Sequence, residues 1–166
     1  MTAVEIDPST LPQRALFDTG VVIRALGERP DDPRAPTCEA LWNAMLESNR
    51  EILIAAPSLA EMIRQAGKEY TIPRRRGVEV VAFDDRAAVE LGRRFPKSVL
   101  DLERAKGLPH HYIKYDALIV ACAIRHRASH LVSLDGALTG FAAAANIQIV
   151  APDRFEKPQM RLPKIE

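Results

Sequence analysis

The chain has 166 residues, of which 47% are apolar, and a formal net charge of +1. This length suits one domain with one substantial core, and the balanced charge excludes the globally basic class of nucleic-acid binders. Cys38 and Cys122 lie in apolar contexts without C-x-x-C spacing, which indicates core residues rather than a zinc site or a disulfide framework. Because no apolar run approaches about 18 residues, we expect a cytoplasmic protein without a membrane segment.

The residues before the first predicted strand form a leader, residues 1–13, which we expect to be loosely ordered because prolines interrupt it. An apolar run at residues 15–17 predicts the first strand, which ends at Asp18. A short helix over residues 21–26 and a charged, proline-rich loop over residues 27–36 follow. The next helix is predicted by apolar residues at three- and four-residue spacing, namely Cys38, Leu41, Trp42, Met45 and Leu46.

The rest of the domain is predicted to repeat a strand followed by a helix. Apolar runs of strand length predict further strands over residues 52–56, 78–83, 130–134 and 147–151. Helices are predicted over residues 58–67, 84–94, 98–106 and 116–128, with an alanine-rich helix that ends at residue 145. This alternation indicates an α/β fold with a mainly parallel central sheet and helices on both faces. We expect the domain to cover residues 14–155, followed by a tail over residues 156–166.

Four carboxylates fall near the edge of the predicted sheet at which open parallel sheets bind ligands. Asp18 and Asp135 end the first and fourth strands, and Glu61 lies in the first turn after the second strand. Asp116 is predicted to open the helix that leads into the fourth strand. Four acids at one edge repel one another unless a cation lies among them, and Mg²⁺ or Mn²⁺ prefers oxygen ligands. The pattern therefore indicates a divalent metal site.

Purely structural roles are an alternative explanation for three of these acids, because acidic residues at helix starts stabilise helices and Asp-Gly pairs favour turns. Ser58-Leu59-Ala60-Glu61 is a capping-box sequence, and for Glu61 taken alone capping is the favoured interpretation. An N-cap at Asp116 and a turn at Asp135-Gly136 are as well supported as a metal site. Asp18 differs, because a carboxylate between two apolar runs is costly to hold near a core without a counter-charge.

Four motifs in this order resemble the PIN domain over about residues 14 to 155. They are Phe17-Asp18-Thr19, Pro57-Ser58-Leu59-Ala60-Glu61, Tyr115-Asp116-Ala117-Leu118-Ile119-Val120-Ala121 and Leu131-Val132-Ser133-Leu134-Asp135. The resemblance implies a three-layer α/β/α sandwich with a central, mainly parallel sheet, dependence on Mg²⁺ or Mn²⁺, and phosphodiester cleavage, most often of RNA. It also implies a toxin ribonuclease that forms a homodimer and is held inactive by a small antitoxin protein.

The resemblance also implies roles for single residues, carried over by position. Asp18 and Asp116 would be the principal metal ligands, and Glu61 would bind metal directly or through water. Asp135 would complete a second-metal site. Two hydroxyls would support these acids, Thr19 and Ser133, of which Ser133 would orient a carboxylate or a water. Gly20 and Gly136-Ala137-Leu138 depart from the family pattern, which often has polar or aromatic residues at these places.

A nuclease also needs cationic contacts to the phosphate backbone of its substrate. The segment from residue 64 to residue 76 supplies candidates, which are Arg64, Lys68, Arg74, Arg75 and Arg76. A solvated loop is an equally supported interpretation of this segment. His110-His111 lacks Cys or His partners at ligand spacing, so a surface pair is favoured over a zinc site.

Two other functional classes stay open beside the ribonuclease. One is a module that keeps the fold but has weak or no catalysis and serves in nucleic-acid binding or as a scaffold. The other is a small-molecule phosphohydrolase, which would act on mononucleotides but not on polymers. The sequence contains no nucleophile-elbow, dinucleotide-binding or P-loop motif, which argues against those common enzyme classes.

Overall fold

The structure, a computed structural model, describes residues 4–66, 72, 75–105, 107 and 110–158. Within these residues there are five strands, β1 (Arg14–Phe17), β2 (Glu51–Ala55), β3 (Val78–Val81), β4 (His130–Val132) and β5 (Gln148–Val150). The seven α-helices are α1 (Thr19–Ala25), α2 (Ala35–Glu47), α3 (Ala56–Ala66), α4 (Asp85–Arg94), α5 (Lys97–Arg104), α6 (His110–Arg125) and α7 (Ala142–Ala145). None of the described helices is long and apolar enough to cross a membrane.

The five strands form one parallel sheet in the order β3-β2-β1-β4-β5. The predicted parallel sheet is therefore confirmed. In the central strand, Leu16 pairs with Leu53 of β2 on one side and with Leu131 of β4 on the other. The chain runs outward from β1 to β3 and then returns to β4, so the direction of progress reverses between β1 and β4. Open parallel sheets bind ligands at the carboxyl ends of the strands at such a reversal.

Helices cover both faces of the sheet, because successive strand residues point to opposite sides. Ala15 and Phe17 of β1 belong to a core that includes residues of α1 and α2, whereas Leu16 belongs to a second core built largely from α6. In the first core the ring of Phe17 meets Trp42 edge to face at a centroid distance of 6.0 Å. The predicted three-layer α/β/α sandwich is confirmed.

The segment before β1 packs against the domain from residue 4 onward, although we expected a loose leader there. Ile6 forms an antiparallel bridge with Glu156, and the Asp7 N–H donates to the carbonyl of Phe155 at 2.9 Å. The side chains of Ile6 and Leu11 are buried in the first core. Burial of an aliphatic side chain contributes about 1.5–3 kcal/mol, which offsets part of the backbone entropy lost when the segment is ordered. Residues 1–3 and most of the predicted tail, residues 159–166, lie outside the described residues.

Two helix starts differ from the sequence prediction. Helix α6 begins at His110, six residues before Asp116, where a loop was expected. Helix α3 begins at Ala56, directly after β2, so Ser58 lies inside its first turn. Pro57 and the stretch Pro109-His110-His111 are typical of a connection, so the sequence places both helix starts too late. Proline is in fact tolerated in the first turn of a helix. The predicted alanine-rich helix is α-helical only over α7 and is preceded by a 3₁₀ helix, Gly136–Phe141.

The apolar spacing in two helices also predicts Ile63 of α3 and Ala88 of α4 on the buried face, and both predictions are wrong. Ile63 is 40% exposed, and Ala88 is exposed while its neighbour Ala87 is buried. Met62 and Phe95, which the same spacing places inside, are buried. The carboxylate of Asp84 accepts a hydrogen bond from the Ala87 N–H, so the predicted start of α4 is confirmed.

Candidate active site

A cleft of about 480 Å³ opens at the carboxyl ends of β1 and β4, where the direction of the sheet reverses. All four predicted carboxylates line it, although they come from elements far apart in the sequence. The acids are Asp18 after β1, Glu61 on α3, Asp116 on α6 and Asp135 after β4. The fold thus brings together the complete set of candidate acids.

Asp18 is held at the junction of the two central strands. Its N–H donates to the carbonyl of Val132 at 3.0 Å, which extends the pairing of β1 with β4 by one residue. Its carboxylate accepts from the Thr19 N–H at 2.7 Å and from the Ser133 hydroxyl at 2.8 Å. Burial nevertheless raises the pKa of Asp18 to about 6, because desolvation disfavours the charged form more than these hydrogen bonds favour it.

Ser133 joins two of the acids through one hydroxyl. Its Oγ donates to Oδ2 of Asp18 and accepts from the backbone N–H of Asp135 at 2.9 Å. The side chain is buried, so its rotamer is held by packing as well as by these bonds. The hydroxyl therefore fixes the Asp18 carboxylate relative to the start of the segment that carries Asp135.

Glu61 forms a hydrogen bond with the first turn of α1 rather than with the start of its own helix. Its Oε2 accepts from the Thr19 hydroxyl at 2.9 Å, and its Oε1 accepts from the Gln65 amide at 3.0 Å. Ser58 lies inside α3, and its buried Oγ has no hydrogen-bond partner among the described residues. The capping-box interpretation of this motif is therefore wrong.

Asp116 lies inside α6, two turns from where that helix begins, so it does not cap the helix and that alternative is wrong. Burial is the largest cause that raises the pKa of Asp116 to about 7. The charges of Asp18, Asp135 and Glu61 raise it further. The four carboxylates therefore lie within electrostatic range of one another across the cleft. A bound cation would relieve this repulsion.

The oxygen-only donor set fits a hard cation such as Mg²⁺ or Mn²⁺ in its chemistry. In the described part of the chain, however, no three carboxylate, imidazole or thiol groups stand close enough together to form a metal-binding cluster. Mg²⁺ usually keeps several waters and binds through one or two carboxylates, so acids spread around a cleft remain compatible with it. Which of the acids are ligands stays a prediction.

The predicted basic residues separate into two groups. Arg64 lines the cleft, one helical turn beyond Glu61, whereas Arg75 and Arg76 are exposed before β3 and do not line it. Lys68 and Arg74 lie outside the described residues. Sequence reasoning overlooked Gln65, which contacts Glu61 from one turn later. The i,i+4 spacing of these two residues was the available signal.

Comparison with known proteins gives a consistent result. The family model of the PIN domain matches residues 15–145. The fold is similar to that of VapBC2 from Rickettsia felis bound to a DNA fragment from their promoter, with a TM-score of 0.55 and 18% identity over 83% of this chain and 98% of that chain. It is also similar to FitAB bound to IR36 DNA fragment, with a TM-score of 0.52 and 17% identity over 83% and 94% of the two chains. No curated protein matches the sequence significantly.

Proposed function

This chain belongs to the PIN domain family, and on that premise we propose that it is a Mg²⁺- or Mn²⁺-dependent nuclease, namely an endoribonuclease of the toxin–antitoxin type. The observation that carries the proposal is the convergence of four acids from distant parts of the sequence on one cleft. Burial, together with the charges of the other three acids, raises the pKa of Asp116 to about 7. Strongly shifted carboxyl groups in a cleft are typical of functional sites.

We assign each side chain a role in phosphodiester hydrolysis, in which water adds to phosphorus and the bond to the leaving oxygen breaks. A bound divalent cation supplies Lewis-acid polarisation and lowers the pKa of a water. Asp18 and Asp116 would hold the cation, and Glu61 and Asp135 would bind it directly or through water. The Ser133 and Thr19 hydroxyls keep two of these carboxylates oriented.

Arg64 is the described cation at this cleft that can contact the substrate phosphate. Its exposed side chain lies on the same helix as Glu61, one turn along, so a phosphate held near the acids would be within reach of its guanidinium. We propose this contact for Arg64 rather than for Arg75 and Arg76, which do not line the cleft.

Cleavage of single-stranded RNA in the presence of Mn²⁺ or Mg²⁺ tests the proposal. We expect the purified chain to cut, and Asp18→Asn and Asp116→Asn each to lower the rate by at least about 10²-fold, because each removes a charge that stabilises the transition state. Asp31→Asn is the matched control, since it removes an exposed carboxylate outside the cleft. Equal cleavage by the wild type and both cleft variants would contradict the catalytic roles.

The alternative is a PIN-fold module with weak or no catalysis that binds nucleic acid or serves as a scaffold. The absence of a compact metal-binding cluster among the described residues favours it. Titration calorimetry with Mn²⁺ discriminates between the two. Heat of binding that disappears in Asp116→Asn supports the nuclease, whereas no uptake by the wild type supports the module.

We also propose that residues 14–155 form the nuclease domain of a cytoplasmic homodimer that is controlled by a small antitoxin. The two solved structures of the same fold are of VapBC2 and FitAB, each bound to DNA. A short protein encoded beside this chain should co-purify with it and suppress cleavage. Light scattering of the chain alone would measure whether its mass is that of two copies.

A further inference from the structure

Tyr115 stands beside Asp116 on the wall of the cleft and belongs to neither hydrophobic core. The residue is 39% exposed although it is a large aromatic. Among the described residues its hydroxyl makes no hydrogen bond and its ring meets no other ring. By contrast, Phe17, Trp42, Phe95 and Phe141 are all buried and paired in edge-to-face contacts.

The ring belongs to an apolar part of the cleft that lies next to the acids. Ile119 is one helical turn beyond Tyr115 on the same face of α6, and Ile23 and Leu134 contribute from α1 and from the segment after β4. Because Asp116 adjoins Tyr115 in the sequence, the carboxylate part and the apolar part of the cleft meet on one helix. The cleft therefore presents acids, the cation Arg64 and an aromatic face together.

This combination suits one nucleotide unit of a nucleic acid. The acids and Arg64 suit a phosphate with its cation. A phosphate and a cation, however, need no exposed aromatic ring or aliphatic side chains nearby. A nucleobase has apolar faces that stack on aromatic side chains without sequence preference. The volume of about 480 Å³ also lies in the range of about 300–1,000 Å³ that is usual for ligand pockets.

We propose that Tyr115 binds the substrate by stacking on an unpaired base next to the scissile phosphate, and that this contact favours a single strand over a duplex. The proposal deepens the nuclease function above and rests on it. A base inside a duplex is stacked on both faces and must first be unpaired, so a duplex offers no face to Tyr115.

The test measures binding apart from cleavage. Fluorescence anisotropy in Ca²⁺, with a gel to verify that the RNA remains intact, gives the Kd of a labelled single-stranded RNA for the wild type, Tyr115→Ala, Tyr115→Phe and Val89→Ala. We expect Tyr115→Ala to raise the Kd about 5- to 100-fold through the loss of base stacking. Tyr115→Phe keeps the ring and should bind as the wild type does. Val89→Ala truncates a side chain that is 55% exposed on α4 and is the control for a surface substitution.

Competition by inorganic polyphosphate of equal charge separates stacking from electrostatics, because that chain has no bases. We expect Tyr115→Ala to leave polyphosphate binding unchanged, and the wild type to bind a duplex of the same sequence more weakly than the single strand. Three results would each overturn the inference. They are an equal loss of affinity for RNA and polyphosphate in Tyr115→Ala, tighter binding of the duplex than of the single strand by the wild type, and unchanged RNA binding by Tyr115→Ala. If these occur while the wild type still cuts RNA in Mn²⁺, the nuclease function stands, whereas a wild type that neither binds nor cuts RNA ends both.

Discussion

Asp116→Asn should stabilise the metal-free protein at alkaline pH while it removes activity. In the folded chain the pKa of Asp116 is raised from 3.8 to about 7. Between these two pH values the folded state keeps a proton that the unfolded chain has lost. The stability of the metal-free protein therefore falls as the pH rises from about 4 to about 7. Asn keeps the shape of the side chain and has no charge to desolvate.

The magnitude follows from the size of the shift. A change of one pKa unit corresponds to 1.36 kcal/mol, so a rise from 3.8 to about 7 sets an upper limit of about 4 kcal/mol. The cleft is open to water, which screens part of the repulsion, and we expect the substitution to raise the free energy of unfolding by about 1–3 kcal/mol at pH 8. For a chain of this size each kcal/mol raises Tm by about 2–4 °C.

Urea denaturation in EDTA at pH 8 and at pH 4.5 measures this effect. At pH 4.5 the wild-type carboxyl is protonated in the folded state but still largely ionised in the unfolded chain, whose pKa is 3.8. The difference between Asp and Asn should therefore fall to about a quarter of its value at pH 8. Mn²⁺ should reverse the order at pH 8, because an ion that binds only the folded state stabilises it by RT ln(1 + c/Kd), where c is the concentration of free Mn²⁺.

The exposed control Asp31→Asn should change stability little at either pH. If Asp116→Asn destabilises the metal-free protein equally at pH 4.5 and pH 8, the side chain contributes through packing or hydrogen bonding instead. The claim that mutual repulsion strains the cleft would then be refuted.

Three further substitutions probe the supporting contacts. Ser133→Ala removes a hydrogen bond that lowers the pKa of Asp18, so that pKa should rise further and the acidic limb of the pH–rate profile should move to higher pH. An unchanged profile would exclude this coupling. Gly20→Ala places a Cβ 3.6 Å from its nearest neighbour, an ordinary contact, and should alter the free energy of unfolding by less than about 1 kcal/mol. Gly140→Ala places a Cβ 2.5 Å from the buried carboxylate of Glu103 and should destabilise by about 1–3 kcal/mol in urea, so equal effects of the two glycine substitutions would contradict the packing.

The strands could be predicted because their signal is local. Each is a short apolar run, and β2 is buried along nearly its whole length because helices cover both faces of the sheet. The start of α6 could not be predicted in this way. Its first turn carries His110 and other polar residues, and the pattern becomes apolar only from Asp116 onward. Ile113 is the one aliphatic residue in this stretch of the sequence, and a single apolar position does not establish a helical period.

The identity of the site acids could be predicted, but their hydrogen-bond partners could not. The motif from Ser58 to Glu61 fits a capping box, and only the start of α3 directly at the end of β2 excludes it. The contact of Thr19 with Glu61 joins residues 42 positions apart and depends on how α1 lies against α3. Local sequence contains no information on that packing.

The antiparallel bridge between Ile6 and Glu156 also has a consequence for the order of folding. The segment before β1 pairs its backbone with residues 155–157, across the whole sheet in sequence. The entropy of closing so long a loop must be overcome before the contact contributes stability. We therefore expect the strands to assemble, and the four acids to gather, before these two segments meet.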